Sequence, residues 1–335
     1  MASFLNQKLF WILLILILGV VLFVGGHFLS KPKIMEIVSS PDQFSVPIQE
    51  KSIRVILVGD ILLNRGVEYM MKKNNDWKWP FLKIADDLKG AKLLFGNLEG
   101  PISDKGTKVG SIYSFRADPR AIEGLTFAGF DVISLANNHA FDYGREALED
   151  TFLRLDEAGI NYLGAGFNEK EAYSSIIKEI NGTKIGFLAY TNLGPETWKA
   201  TSLNSGITWI SENDIEEIKK DIENAKSQTD ILIVSLHSGE EYSLEPTQFQ
   251  IDFSKMAIDA GADIVVGHHP HVVQKSERYQ NSWIFYSLGN FVFDQSFSDQ
   301  TMRGQMVKVL IENGKIKEVI PGEIKINAFF QPEIK

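Results

Sequence analysis

Three histidines, His268, His269 and His271, stand within four residues of one another in DIVVGHHPHVV at 263–273, although the 335-residue chain holds only six. An apolar run ends at Gly267 and the imidazoles follow at once. The same event recurs along the chain. Asp60 closes VILVGD, and Asn97 and Glu99 follow KLLFG. Asn137, Asn138 and His139 close VISLANNH, with Asp142 three residues on. His237 closes ILIVSLH, with Glu240 and Glu241 behind it, and Asn290 and Asp294 lie in SLGNFVFD. Imidazole, carboxylate and carboxamide groups are ligands for borderline divalent ions such as Zn²⁺, Mn²⁺ or Fe²⁺. Two such ions side by side hold a phosphate between them and activate water.

Each residue has a more ordinary use. A lone histidine after a strand is usually a hydrogen-bonded surface residue, Asn-Asn suits a turn or cap, and Glu99 before Gly100–Pro101 suits a solvated loop. Coincidence decides for chemistry: five of the six histidines follow three separate strand-like runs. His139, His237, His269 and His271 are therefore expected as ligands, and His268, Asp142, Glu240 and Asn290 as ligands or as groups that orient them. With no cysteine in the chain, any metal rests on nitrogen and oxygen donors alone. GAGFNEKEA at 164–172 lacks the spacing of a phosphate-binding glycine loop.

The elements that must position these residues are legible as a recurring unit, an amphipathic stretch ending in Ala-Gly followed by a short apolar strand. It occurs at 121–139, 147–166 and 253–271, with Gly129, Gly159 and Gly261 where a helix end calls for a left-handed residue. Helices alternating with apolar strands predict a layered α/β domain, in which ligands collect beyond the carboxyl ends of the strands. Asn181–Gly182 and Asn313–Gly314 predict hairpin turns, and WIFYSLGNFVFD predicts strand. The expected domain runs over 52–328, with a C-terminal tail at 329–335. A net charge of −9 without a basic run excludes phosphate-neutralising nucleic-acid binding. Residues 9–29 carry no formal charge for 21 residues, enough to span a bilayer as a helix. With no small-residue cleavage site after them, residues 1–30 are expected to be a cytoplasmic tail and uncleaved signal anchor, and the proline-bearing 31–51 a linker.

VGDILLNRG, GNLEGPIS, FRADP, GFDVISLANNHAFDYG, AGINYLGAG, GADIVVGHHPHVVQ and YSLGNFVFD together resemble the CapA proteins of capsule synthesis, the poly-γ-glutamate biosynthesis branch of the calcineurin-like metallophosphoesterases. The resemblance covers about 53–297. It implies a four-layer α/β/β/α sandwich of metallophosphoesterase type behind one N-terminal transmembrane helix, with one or two divalent ions (Mn, Zn or Fe) in a cleft. It places that superfamily's ligands on Asp60, Asn138, His139, His237, His269 and His271, with Asn97 or Glu99 standing in for the bridging aspartate. Leu62 occupies the position of the histidine in the usual D-x-H, and Ser238 follows His237 where a tryptophan is common. His139 and Asp142 are the expected catalytic residues; Asn137, Arg65, Glu240, His268 and Asn290 are expected to support ligands or touch substrate.

Two functions compete. One is a membrane-anchored, metal-dependent hydrolase of a phosphoester or capsule-related polymer, with His139 serving the leaving group. The other is a non-catalytic component that binds anionic polyglutamate within a synthesis and export complex, alongside other capsule-synthesis membrane proteins. The expected location is the cell membrane, with the domain on the extracytoplasmic side. Protease added to intact cells should then remove the domain; a protected domain, or one released to the medium without residues 9–29, would contradict the anchor.

Overall fold

The computed structural model describes residues 52–109 and 112–335. The expected anchor over 1–30 and linker over 31–51 lie outside the described residues. Among the described residues no helix is long and apolar enough to cross a membrane.

Two sheets form the centre. The strands are β1 (Ser52–Ile61), β2 (Leu93–Leu98), β3 (Val132–Ser134), β4 (Asn161–Leu163), β5 (Ala165–Gly166), β6 (Ile176–Ile180), β7 (Thr183–Thr191) and β8 (Gly206–Ile207). They continue with β9 (Ile231–His237), β10 (Ile264–His268), β11 (Ser276–Tyr279), β12 (Ser282–Phe285), β13 (Asn290–Val292), β14 (Arg303–Glu312), β15 (Lys315–Ile326) and β16 (Pro332–Ile334). The first sheet has the order β16-β15-β14-β1-β2-β3-β4, with β13 also paired to β1. The second has the order β11-β12-β10-β9-β7-β6, and β5 and β8 make a small ribbon. Within the first sheet β1 to β4 are parallel; in the second, β7, β9, β10 and β12 are parallel.

Period-2 alternation builds the layers. Ile53, Val55 and Leu57 of β1 turn towards the second sheet and meet Phe187, Ile233 and Val266 in one buried cluster. Phe95 stacks on Phe187 there, with ring centroids 5.6 Å apart. Ile56 and Val58 face the other way, into a cluster with Val67, Leu125, Leu148 and Phe152 from the helices Arg65–Asn74, Ile122–Ala128 and Gly144–Glu157. Leu188, Leu232 and Val265 of the second sheet pack outward on Ile218, Ile222 and Phe253 of the helices Ile215–Ser227 and Gln248–Asp259. The result is helix, sheet, sheet, helix. Strands sandwiched this way are apolar on both faces, which is why VILV and IVV read as continuous runs.

The three glycines expected at helix ends adopt positive φ: 82° at Gly129, 73° at Gly159 and 111° at Gly261. Two expectations change. Residues 329–335 are not a free tail, because 332–334 form β16 and pair antiparallel with the end of β15. WIFYSLGNFVFD divides between sheets: β12 pairs with β10, whereas β13 pairs with β1. The chain crosses over at Gly289, whose φ of 65° suits a residue without Cβ.

That crossing explains Gly59. A Cβ placed there would lie 1.9 Å from the Gly289 carbonyl oxygen, and the Asp60 N–H donates to that oxygen at 3.0 Å. Gly59→Ala must push β13 away from β1, at a cost of about 1–3 kcal/mol. Denaturant unfolding should show a lowered midpoint with unchanged slope; an unaltered midpoint would mean that the close approach does not hold in solution.

Candidate metal centre

Strand register, rather than sequence proximity, assembles the site. Asp60 is the register partner of Asn97 on β2 and of Asn290 on β13. His237 on β9 is the register partner of His268 on β10. Asn137, Asn138 and His139 follow β3, the next strand after β2. Parallel neighbours end on one rim, so each polar residue that terminates an apolar run arrives at the same place.

Asp60 is fully buried. Its Oδ1 accepts from Asn97 Nδ2 at 2.8 Å, and its Oδ2 accepts from the backbone N–H of His269 at 3.1 Å. His268 Nδ1 lies 3.3 Å from Oδ1 and His271 Nδ1 lies 3.5 Å from Oδ2. Burial works to raise the Asp60 carboxyl, but the imidazoles of His268 and His271 override it and hold the group well below the usual carboxylate range. His237 and His269 go the other way. Burial, reinforced by neighbouring histidines, pushes His237 well down and His269 to about 3, so both rings are neutral and able to ligate.

Glu99 tests whether these residues fit a cation. It is 2% exposed, and its Oε2 has no hydrogen-bond partner. Burial first, then the charges of Asp60, Asp142 and Glu241, push its carboxyl well above the usual range. Its Oε1 has one long hydrogen bond, from Asn97 Nδ2 at 3.4 Å, and ionising such a group beside another buried carboxylate is costly unless a positive charge joins them. His269 Nδ1 and both ring nitrogens of His268 are likewise buried without a hydrogen-bond partner. Among the described residues, two sets bring His, Asp or Glu ligand atoms within 4.8 Å of one another: Asp60, Glu99 and His237, and Glu241, His269 and His271. The His237 and His269 rings, 5.0 Å apart, connect the sets. Divalent ions suit this donor set of carboxylates and neutral imidazoles.

The asparagines orient the ligands. Asn138 Oδ1 lies 2.8 Å from His237 Nε2 and Asn97 Nδ2 lies 3.3 Å from His237 Nδ1, so the two asparagines flank the ring. Asn137 Nδ2 donates to Asn97 Oδ1 at 3.1 Å, and Asn137 Oδ1 accepts from the His139 N–H at 3.0 Å. Asn290 Oδ1 accepts from His271 Nδ1 at 3.0 Å. His139 Nδ1 donates to Asp142 Oδ2 at 2.8 Å, which leaves Nε2 on the side of Glu99 Oε2, 3.7 Å away. Asp142 Oδ2 also accepts from the Phe115 N–H at 2.7 Å, and the Phe115 ring lies 4.1 Å from the His139 ring.

A cleft of about 610 Å³ opens over this cluster, and Asn138, His139, Glu241 and His271 line it. Arg65 lines it too, pairing with Asp294 through Nε and Nη2, its guanidinium 5.0 Å from the Phe115 ring centre. Of the residues singled out in the sequence, Glu240 does not join them: it is exposed and absent from both ligand sets, and its neighbour Glu241 takes the place expected of it. Glu241, Asp294 and Phe115 were the residues not selected. The first two carried the available signal, an acidic residue just beyond a strand, but nothing local ranks one acidic neighbour above another. Trp77 and Trp79 lie in the helix layer, away from the cleft: Trp77 is buried there and Trp79 packs against it.

The bacterial capsule synthesis protein family PGA_cap matches residues 54–295, a stretch that contains both ligand sets. The chain belongs to that family. Two relatives are similar to it over most of its length. A capsule biosynthesis protein CapA from Bacillus anthracis is 34% identical over 83% of this chain and 69% of its own, and a PGA biosynthesis protein CapA from Bacillus subtilis (strain 168) is 31% identical over 83% and 75%. Among solved structures, a hypothetical protein from Thermus thermophilus superposes with a TM-score of 0.51 at 15% identity, covering 82% of this chain and 99% of that one, which is a likeness of fold. Asp60, Asn138, His237, His269 and His271 all lie within the matched stretch.

His237→Ala tests the centre directly. His237 ends its strand with no second histidine behind it. Loss of a supporting group around a metal typically costs about 10–100-fold in affinity, so this variant should bind Mn²⁺ or Zn²⁺ at least about 10-fold more weakly while melting like the parent in chelator. Unchanged metal affinity would remove His237 from the centre.

Proposed function

We propose that this PGA_cap member is a metal-dependent hydrolase of capsule or poly-γ-glutamate biosynthesis, held to the cell membrane by residues 9–29 with its α/β/β/α domain of metallophosphoesterase type on the extracytoplasmic side. The observation that carries the proposal is Glu99: a buried carboxyl whose Oε2 has no hydrogen-bond partner, set beside Asp60 and His237. The names of the two CapA relatives support the biosynthetic setting, and the 21-residue uncharged run supports the anchor.

Asp60, Glu99, Asn138 and His237 would hold an inner divalent ion, and His269 and His271 an outer one; Mn, Zn and Fe all suit the donors. A divalent ion there supplies Lewis acidity and a lowered pKa for water. The chain supplies the rest. Asp142 fixes the tautomer of His139 by accepting its Nδ1 proton and steadies a positive charge on the ring, so Nε2 is the atom that delivers a proton to the leaving group. Arg65 keeps Nη1 outside its pair with Asp294 and can take an anionic group of the substrate, a phosphoester or an acidic polymer.

A second reading, a polymer-binding component without catalysis, draws on Leu62, which is buried where the D-x-H histidine would stand. His139→Gln separates the two. Positioned acid–base groups contribute about 10²–10⁴-fold, so hydrolysis of a phosphodiester or polyglutamate by the purified protein should fall at least about 100-fold with metal content retained, and polymer output in cells should fall with it. Output that persists while hydrolysis is lost would favour the binding component, and hydrolysis at the parent rate would refute the assignment of His139.

A further inference from the structure

Leu62 leaves a gap in the outer cation position. Two residues beyond Asp60, it is fully buried in an apolar cluster with Phe115, Phe293 and Ile326, and its N–H donates to the Val292 carbonyl at 2.8 Å. Leu62 has no donor atom to offer, so His269 and His271 need a third donor from elsewhere.

We infer that Glu241 is that donor, closing with His269 and His271 an outer divalent-cation site in place of the histidine that Leu62 replaces. The inference rests on the metal reading proposed above and adds to it a ligand that the resemblance did not supply.

The first support is direct geometry: ligand atoms of Glu241, His269 and His271 lie within 4.8 Å of one another. The second is an unmet donor. His269 is 7% exposed, and its Nδ1 has no hydrogen-bond partner. The third is the way the backbone is held. His269 and His271 adopt φ of 98° and 58°, left-handed values that a residue with Cβ rarely takes. Such conformations persist where surrounding contacts over-determine them, and they concentrate at ligand clamps. Here the His269 N–H is held by Asp60 Oδ2 at 3.1 Å. The loop that carries Glu241 is tied to the same turn, because the Tyr242 N–H donates to the Pro270 carbonyl at 2.8 Å.

A side-chain network closes the same ring. His271 Nδ1 donates to Asn290 Oδ1, Asn290 Nδ2 donates to Gln295 Oε1, and Gln295 Nε2 donates to Tyr242 Oη, at 3.0, 3.1 and 3.2 Å. The proton on Nδ1 leaves Nε2 of His271 with the lone pair, and the network links that ring to the residue after Glu241. Exposed carboxylates are common without an ion, but this one lines the cleft with His139 and His271, and its charge helps to push the buried Glu99 carboxyl up. Another negative charge there is opposed by repulsion unless a cation is shared.

The two positions should then differ in kind. The ligands Asp60, Glu99 and His237 are all buried, whereas Glu241 is exposed. The outer ion is the weaker and faster-exchanging of the two.

The test uses the purified full-length protein in detergent, stripped with chelator and titrated with Mn²⁺ alone. Metal per chain and the magnetic coupling of paired Mn²⁺ ions are read out. The parent should bind two Mn²⁺ with unequal affinities. E241Q should keep the tighter ion and bind the second at least about 10-fold more weakly, with the coupled signal lost; H237A should weaken the tighter one. Thermal melting of each variant in chelator should match the parent and so separate ligand loss from unfolding. Two ions in E241Q with parent affinities and coupling would overturn the inference, as would a parent that binds a single ion. A parent that binds no Mn²⁺ at all would instead overturn the metal reading beneath it.

Discussion

A carboxylate buried to zero exposure, Asp60, is the constraint to which the surrounding structure answers. A lone buried charge is strongly disfavoured unless it is hydrogen-bonded and electrically compensated. Asp60 draws its partners from three directions: Asn97 on the adjacent strand, the His269 backbone from the opposite sheet, and the rings of His268 and His271. None of these is a permanent cation. The two rings hold Asp60 well below the usual carboxylate range, while burial and the neighbouring acids push the Glu99 carboxyl well above it. A protein that buries two acidic side chains in this way is suited to receive positive charge from outside.

Meeting that constraint dictates the backbone around it. The two sheets must approach closely enough for a β10 loop to reach the end of β1, and β13 must cross from one sheet to pair with the other. Gly59 lies against the Gly289 carbonyl, and a Cβ at Gly267 would meet the Tyr286 carbonyl at 1.9 Å. Each glycine stands immediately before a residue of the centre, Asp60 in one case and His268 in the other. Close backbone approach and placement of the ligands are one feature seen twice. The left-handed φ at His269 and His271 belongs to the same pattern, with local strain held by the contacts that gather the ligands.

Leu62 brings an apolar side chain, not a donor, to the rim of the cleft. The apolar cluster of Leu62, Phe115, Phe293 and Ile326 gives the cleft a wall, against which Arg65 lies over Phe115 and pairs with Asp294. The side chains that orient the ligands are asparagines on three strands' ends, a donor and an acceptor each, which fixes ring directions without adding charge.

The sequence by itself determined the layers and the roster. Apolar runs of four to seven residues between amphipathic stretches require strands covered on both faces, and polar residues that end such runs must lie at a sheet rim. That logic named Asp60, Asn97, Glu99, Asn138, His139, His237, His269 and His271 before any contact was known. Tertiary structure alone decided three matters. It chose Glu241 over Glu240, because Tyr242 is tied to the Pro270 carbonyl and so fixes which acidic neighbour faces the histidines. It paired 332–334 with β15, because an edge strand's unmet hydrogen bonds, not a local propensity, capture that segment. It also sent Asn290 to Asp60 by carrying β13 across to the first sheet. All three depend on contacts between segments far apart in the chain, and no local pattern of residue types encodes the register in which such segments meet.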